Sequence, residues 1–141
     1  MDFSEIRMNE LDSLQERTKY KFIDIKLLNK ALTHKSYANE KSENLKHNER
    51  LEFLGDSVLD ILVSDYLVKE FSDFAEGRLS KIRAAVVNET CLAILAHKIN
   101  LGNYLLLGKG EDLSGGRHKP SILADAFEAL AGAVFRDGGL N

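Results

Sequence analysis

Tryptophan is absent from this chain, and cysteine and proline occur once each in 141 residues. One thiol, Cys91, excludes any disulfide within the chain, so the fold must rest on its own core. That cysteine sits in the apolar run Cys91-Leu92-Ala93-Ile94-Leu95, where the expected role is a small buried hydrophobe and not a nucleophile. Long hydrophobic runs are also missing. Val58 to Val68 is interrupted by Asp60, Ser64 and Asp65, well short of the ~20 apolar residues that cross a bilayer, so no membrane segment is expected. Residues 1 to 18 carry Asp2, Glu5, Glu10, Asp12 and Glu16 without the short apolar core of a secretion signal, which makes a cytoplasmic location the default. Nor is there an excess of positive charge. Lys and Arg number 19 against 22 Asp and Glu, a formal charge of −3 and a pI near 5.8, which argues against a generally basic nucleic-acid surface. Contact with a polyanion would have to use local patches. Carboxylates that bind divalent cations count as negative in such a tally, so a phosphodiester substrate is not excluded.

What is present is the composition of one globular domain, 44% hydrophobic and 29% charged. With so few prolines and with apolar residues recurring at three- and four-residue spacing, the chain reads as all-α, without strand alternation. Asp24 is placed to cap a helix running to about His34, with a buried stripe of Ile25, Leu28 and Leu32, and Ile23 and Leu28 forming a hydrophobic staple. His34 near that helix end is read as a capping or hydrogen-bonding histidine. Lys35 to His47 lacks apolar periodicity and reads as an exposed loop. Asn48 caps a long helix to about Phe71, and the pattern breaks at Phe74 to Gly77. A helix then covers Arg78 to Val87, and Asn88 caps another ending near Asn100. Gly108 to Lys119, with four glycines, reads as a mobile loop. Pro120 opens a final helix to about Asp137, stopped by Gly138 and Gly139. No repeat, low-complexity tract or long linker divides the chain.

In Asn48-Glu49-Arg50-Leu51-Glu52-Phe53-Leu54-Gly55-Asp56, the acids Glu49, Glu52 and Asp56 fall at i, i+3 and i+7 on one helical face. Like charges at that spacing repel. Leu51, Leu54, Val58 and Leu59 place part of the same helix in the core, so the charges need a cation or a basic partner, and Arg50 alone does not suffice for three. A second pair, Asp125 and Glu128, lies at i,i+3 in an otherwise almost uncharged helix. Ala124, Ala129, Gly132 and Ala133 there are small enough for another helix to approach closely. Either pair alone reads as solvent-facing acids or salt-bridge partners; two pairs inside apolar helices together favour a metal site. Four or five carboxylates without a converging His or Cys set favour magnesium, or manganese in its place, over zinc. Such ions suit phosphodiester hydrolysis. Spacing does not select the substrate.

The string from Asn48 to Leu59 resembles, residue for residue, the signature motif of the ribonuclease III family. Ala31-Leu32-Thr33-His34-Lys35-Ser36-Tyr37, Glu76-Gly77-Arg78-Leu79-Ser80 and Leu123 to Leu130 extend the resemblance over nearly everything after Thr18. It implies a single helical endonuclease domain over residues 1–141, acting as a symmetric dimer on double-stranded RNA. By the same match, Glu52, Asp125 and Glu128 correspond to magnesium ligands, Asp56 acts with Glu128 as catalytic acid, and Glu49 and Glu76 are supporting acids lining a cleavage valley. Expected products have 5′-phosphate and 3′-hydroxyl ends with short 3′ overhangs, in ribosomal and messenger RNA processing. Phe53, turned away from Glu52 and Asp56 by the ~100° helical step, reads by itself as a core position; the resemblance instead makes it a dimer contact. Arg78, Lys81, Arg83, Lys109, Arg117, His118 and Lys119 are candidate contacts to RNA phosphates, although charge runs are commonly solvated surface. Residues stop at Asn141 without the family's terminal helix and double-stranded-RNA-binding domain, so the resemblance implies truncation at the C-terminal end. Two other readings stand beside it. An all-α magnesium-dependent nucleotide pyrophosphohydrolase also pairs acids at i,i+3 but keeps its pairs closer in sequence, and a non-cleaving RNA-binding module would have lost an acid.

Overall fold

Three of the helices begin where a short polar side chain accepts a hydrogen bond from the first turn's free N–H groups. The computed structural model describes residues 3–41 and 45–140, which form α1 (Glu5–Thr18), α2 (Ile25–Ala31), α3 (Lys35–Lys41), α4 (Glu49–Glu70), α5 (Glu76–Val86), α6 (Glu89–Lys98), α7 (Lys109–Leu113) and α8 (Pro120–Gly138). Ser4 accepts from Arg7 N–H, Asp24 from Lys26 N–H and Asn88 from Cys91 N–H. Short 3₁₀ turns occupy Leu101–Tyr104 and Gly116–His118. The expected all-α class holds: among the described residues the extended pairing is one isolated bridge, Thr33 with Leu106. No helix among them is long and apolar enough to cross a membrane.

Helix α8 is the centre of the packing. Ile122, Leu123, Ala126, Ala129, Leu130 and Ala133 are buried on it, and α2, α4 and α6 close around it. Leu11, Leu14, Leu28, Leu32 and Leu101 complete the core. Between α4 and α8 the approach is closest: a Cβ built on Gly55 would overlap the Glu128 carbonyl, and one on Gly132 would overlap the Leu51 carbonyl. The two backbones therefore touch, as the small residues of α8 led us to expect. Gly55 is the α4 half of that contact, which spacing did not single out.

Several local readings are corrected by tertiary hydrogen bonds. Helix α2 stops at Ala31 and does not continue to His34, because the next peptide groups pair outward: Leu106 N–H donates to Leu32 C=O at 2.9 Å, Asn48 N–H to Thr33 C=O at 2.9 Å, and His34 N–H to Leu106 C=O at 3.0 Å. The Ile23 staple does not form. Ile23 is 87% exposed, and its N–H and that of Asp24 donate instead to the Asp137 carboxylate at 2.8 and 2.9 Å. Lys35 to His47 is not all loop, since α3 is anchored by buried Ala38 and by Ser36 N–H donating to His34 Nδ1 at 3.1 Å; residues 42–44 of that stretch lie outside the described residues. Asn48 stands at the cap of α4 but makes no capping bond. Its Nδ2 donates to Ala31 C=O at 3.1 Å, tying α4 to the end of α2.

Gly108 to Lys119 is likewise ordered, as α7 and a 3₁₀ turn. Arg117 donates to the Gly102 and Leu105 carbonyls at 3.1 and 2.6 Å and pairs with Asp112, while Lys119 pairs with Glu111 at 2.6 Å. Helix α1 was not read from the sequence. It is docked by Arg7, which donates to Asn29 Oδ1 at 2.7 Å and to Tyr104 C=O at 2.8 Å. Cys91 is half-buried, its thiol donating to Ala85 C=O at 3.3 Å.

A Gly55→Ala substitution should force the two backbones apart and destabilise the domain by about 3 kcal/mol, the upper part of the usual overpacking range. Denaturant unfolding measures this, and a wild-type midpoint would show that the helix contact is more yielding than its geometry.

Candidate metal centre

The contact at Gly55 and Gly132 decides where the acids of α4 and α8 go. Gly55 lies between Glu52 and Asp56 in sequence, and Glu128 supplies the carbonyl against which it packs. Turning that strip of α4 toward α8 brings the flanking carboxylates with it. One oxygen each from Glu52, Asp125 and Glu128 lies within 4.8 Å of the others, all three side chains half-buried. Glu52 shares a hydrogen bond with Asp125, and Glu128 shares one with Asp56. An open cleft of about 570 Å³ is lined by Glu49, Glu52, Phe53, Asp56, Asp125 and Glu128.

Crowded acids hold protons. Burial, then the charge and hydrogen bond of Asp125, push Glu52 up to about 7. Burial, then the hydrogen bond and charge of Asp56, push Glu128 up to about 8. Burial also raises Asp125, with Glu89 adding like charge. The His34 ring lowers Asp125 in part, and Lys35 pairs with Glu49 at 3.6 Å on the exposed rim. Arg50 lies with Leu27, Lys30 and Arg136 in the neighbouring cleft. Oxygen donors converging from two helices fit a hard divalent ion.

The remaining candidates are dispersed. Asp56, exposed, joins the cluster through Glu128, and Glu49 lines its cleft. Glu76 opens α5 in a separate cleft with Ser64, Leu67, Ser80 and Arg83, so one chain does not bring it to the four acids. Phe53 is 81% exposed, which excludes the core reading. Lys81, Lys109 and His118 are exposed, Arg78 stacks on Phe74, and Arg83 donates to Ser64 at 2.8 Å. Arg117 and Lys119 are committed to partners within the chain. His34 accepts at the start of α3 as a hydrogen-bonding histidine, and burial lowers its pKa, consistent with a neutral ring. Glu89 was missed. It lines a smaller cleft with Asp56, Asp125 and Glu128, and only the packing of α6 on α8 reveals it.

A half-buried carboxylate cluster on two helices in backbone contact defines an acidic, metal-competent helical domain. Residues 24–141 match the Ribonuclease-III-like family model. The chain is 56% identical over 125 residues to Ribonuclease 3 of Desulfotalea psychrophila, covering 89% of this chain and 52% of that protein. It is 49% identical over 135 residues to Ribonuclease 3 of Listeria monocytogenes serotype 4a, covering 95% and 59%. Among solved structures, the nuclease domain of ribonuclease III from Campylobacter jejuni, with structural flexibility in a region involved in dimer formation, superposes with a TM-score of 0.86. It shares 47% identity over 92% of this chain and 87% of that one. Dicer from Pichia stipitis superposes with a TM-score of 0.63 at 29% identity, over 86% and 50%. The chain therefore belongs to the ribonuclease III family. It spans little more than half the length of the curated relatives it matches.

Because the folded-state values of Glu52 and Glu128 lie above the ordinary carboxylate value of about 4.3, the fold binds protons that the unfolded chain releases. Their contribution to stability is present below about pH 4.3 and is lost as pH rises through about 7 to 8. The melting temperature of the metal-free domain should therefore fall between pH 5 and 8, and the rise caused by added magnesium should grow over the same interval. Glu52→Gln should flatten both trends; a metal response independent of pH would disprove competition between cation and protons.

Proposed function

We propose that residues 1–141 act as the endonuclease domain of a metal-dependent ribonuclease that hydrolyses double-stranded RNA, in the cytoplasm, in ribosomal and messenger RNA processing. The observation that carries this reading is the convergence of Glu52, Asp125 and Glu128 within 4.8 Å, with Asp56 bonded to Glu128, in a chain of this family. Glu52, Asp125 and Glu128 would hold magnesium, or manganese in its place. When bound, the ion polarises a phosphoryl oxygen and offsets negative charge developing at the scissile phosphate.

The protein's own groups do the rest. Holding Glu52 and Asp125 against each other keeps two oxygen donors poised across the helix contact, so little rearrangement is needed on binding. Asp56 and Glu128 would orient the attacking water and accept its proton. A water oxygen then bonds to phosphorus as the bond to the 3′ oxygen breaks, and that oxygen takes a proton from solvent. The products carry 5′-phosphate and 3′-hydroxyl ends without a protein-bound intermediate. Glu49 and Glu76 would serve as supporting acids, and Arg78, Lys81 and Lys109, without an ion pair among the described residues, would approach the RNA backbone. Arg117 and Lys119 would support it indirectly by fixing the turn before α8.

A second copy of the chain completes the reading. Phe53 projects from α4 beside the acid cleft, and Ile61 and Val68 lie within about 80° of it around the same helix, each more than half exposed. A two-fold dimer through α4 would cover them and align two acid clusters, one for each strand. Short 3′ overhangs would follow from the fixed distance between clusters.

Duplex RNA, single-stranded RNA and a nucleoside triphosphate, each incubated with and without magnesium beside a Glu128→Gln variant, separate the possibilities. Duplex cleavage that needs both metal and Glu128 is expected. Triphosphate hydrolysis without duplex cleavage would replace the proposal with a nucleotide pyrophosphohydrolase, and duplex binding without cutting would make the domain a binding module. For the dimer, Phe53→Asp should shift the sedimentation profile to monomer and abolish double-strand cleavage while the metal-induced melting shift survives; a wild-type monomer that cuts duplexes would refute the arrangement.

A further inference from the structure

An arginine binds phosphate best when its guanidinium is held in place before the phosphate arrives, because fewer rotamers are then lost on contact. Among the basic side chains considered above, Arg117 and Lys119 are engaged within the fold. Lys81 and Lys109 have no side-chain partner among the described residues and nothing that orients them. Arg78 differs from both groups. Its guanidinium carbon lies 3.7 Å from the centroid of the Phe74 ring. Phe74 in turn stacks on Phe71, with centroids 4.8 Å apart and planes at 20°.

This three-membered pile spans the turn between α4 and α5 and is anchored at both ends. Phe71 N–H donates to Leu67 C=O at 2.9 Å, Phe74 N–H to Phe71 C=O at 3.1 Å, and Arg78 N–H to Ala75 C=O at 3.0 Å. Stacking uses one face of the guanidinium and leaves its rim of N–H donors available. None of those donors bonds to another described residue, and Arg78 is exposed. Lys81, three positions on, shares its helix face and adds a second free cation.

Building on the ribonuclease reading, we propose that Phe71, Phe74 and Arg78 form a pre-oriented clamp for a backbone phosphate of the RNA duplex, with Arg78 making the contact and the phenylalanines acting as positioning residues. The site reads no sequence. It takes a phosphodiester through the edge of a planar cation, so its contribution should appear as counterion release.

The test is duplex binding by fluorescence anisotropy across a potassium chloride series at fixed magnesium, in a Glu128→Gln background that does not cut. Arg78→Ala should weaken binding about tenfold at low salt, the scale of one charge-assisted hydrogen bond, and lower the slope of log K against log salt by about 1. Arg78→Lys and Phe74→Leu should keep the parental slope, since the charge remains, and lose affinity about threefold. Melting temperature and sedimentation should not change in Arg78→Ala. Parental affinity and slope in that variant overturn the clamp while leaving the ribonuclease reading intact, and so does a loss accompanied by dissociation or a lower melting temperature. Parental affinity in Phe74→Leu removes the aromatic platform from the proposal. A parent that binds no duplex fails the ribonuclease reading itself, and the clamp with it.

Discussion

Two backbones in contact organise this domain. Where Gly55 meets the Glu128 carbonyl and Gly132 meets the Leu51 carbonyl, no side chain separates α4 from α8. Everything projecting from the edges of that seam is brought close, and on one edge those side chains are carboxylates. A helix pair spaced by ordinary side chains would sit farther apart and let the same acids reach water separately. Here the apolar packing of α8 holds like charges within 4.8 Å of one another. Burial first, and the neighbouring carboxyl groups second, raise the pKa values of Glu52 and Glu128. A bound divalent ion would offset the like charge.

A second feature keeps the seam in register. The segment Ala31 to Ser36 receives Asn48 from the start of α4 and Leu106 and Gly108 from the chain leading into α7 and α8. Ser36 Oγ accepts from Gly108 N–H at 2.8 Å and bonds to His34 Nδ1 at 2.7 Å, so one short stretch sets the entry to both acid-bearing helices. On the other side of the core, Arg7 and Arg117 cap carbonyls of the Leu101–Tyr104 turn and of Leu105. Buried polar bonds of this kind specify one arrangement, because each unmade bond would leave a desolvated group.

The long elements were legible in the sequence because their signals are local. The i, i+3, i+7 acids on α4, the asparagine cap of α6 and the proline start of α8 each act within one or two turns, and all three helices stand where the pattern placed them. What failed were readings that depend on partners distant in sequence. Polar, glycine-containing Gly108 to Lys119 resembles a free loop until Arg117 and Lys119 find their partners. Ile23 fits a staple until Asp137 claims its backbone. Glu89 joins the acid cleft only through the packing of α6, and the exposure of Phe53 contradicts what its apolar character alone implies. Gly55 was visible as a letter, but its role is a contact, and contacts are not periodic.

Charge accounting links the acid cleft to the basic rim. With Glu52 pushed up to about 7 and Glu128 to about 8, protons held near neutral pH mute the negative charge the cleft would otherwise show. A divalent cation that displaced these protons would change the net charge of the cleft by less than its own two charges. Its first effect would therefore be local, concentrating positive charge at one point of a chain whose formal charge, with every acid ionised, is −3. Long-range attraction for a polyanion must then come from elsewhere on the surface, and it has to be placed where the core acids do not cancel it. Arg78 and Lys81 on α5 lie outside the lining of the acid cleft. In the proposed arrangement steering and chemistry would use opposite charges on different helices, and neither would need the domain to be basic.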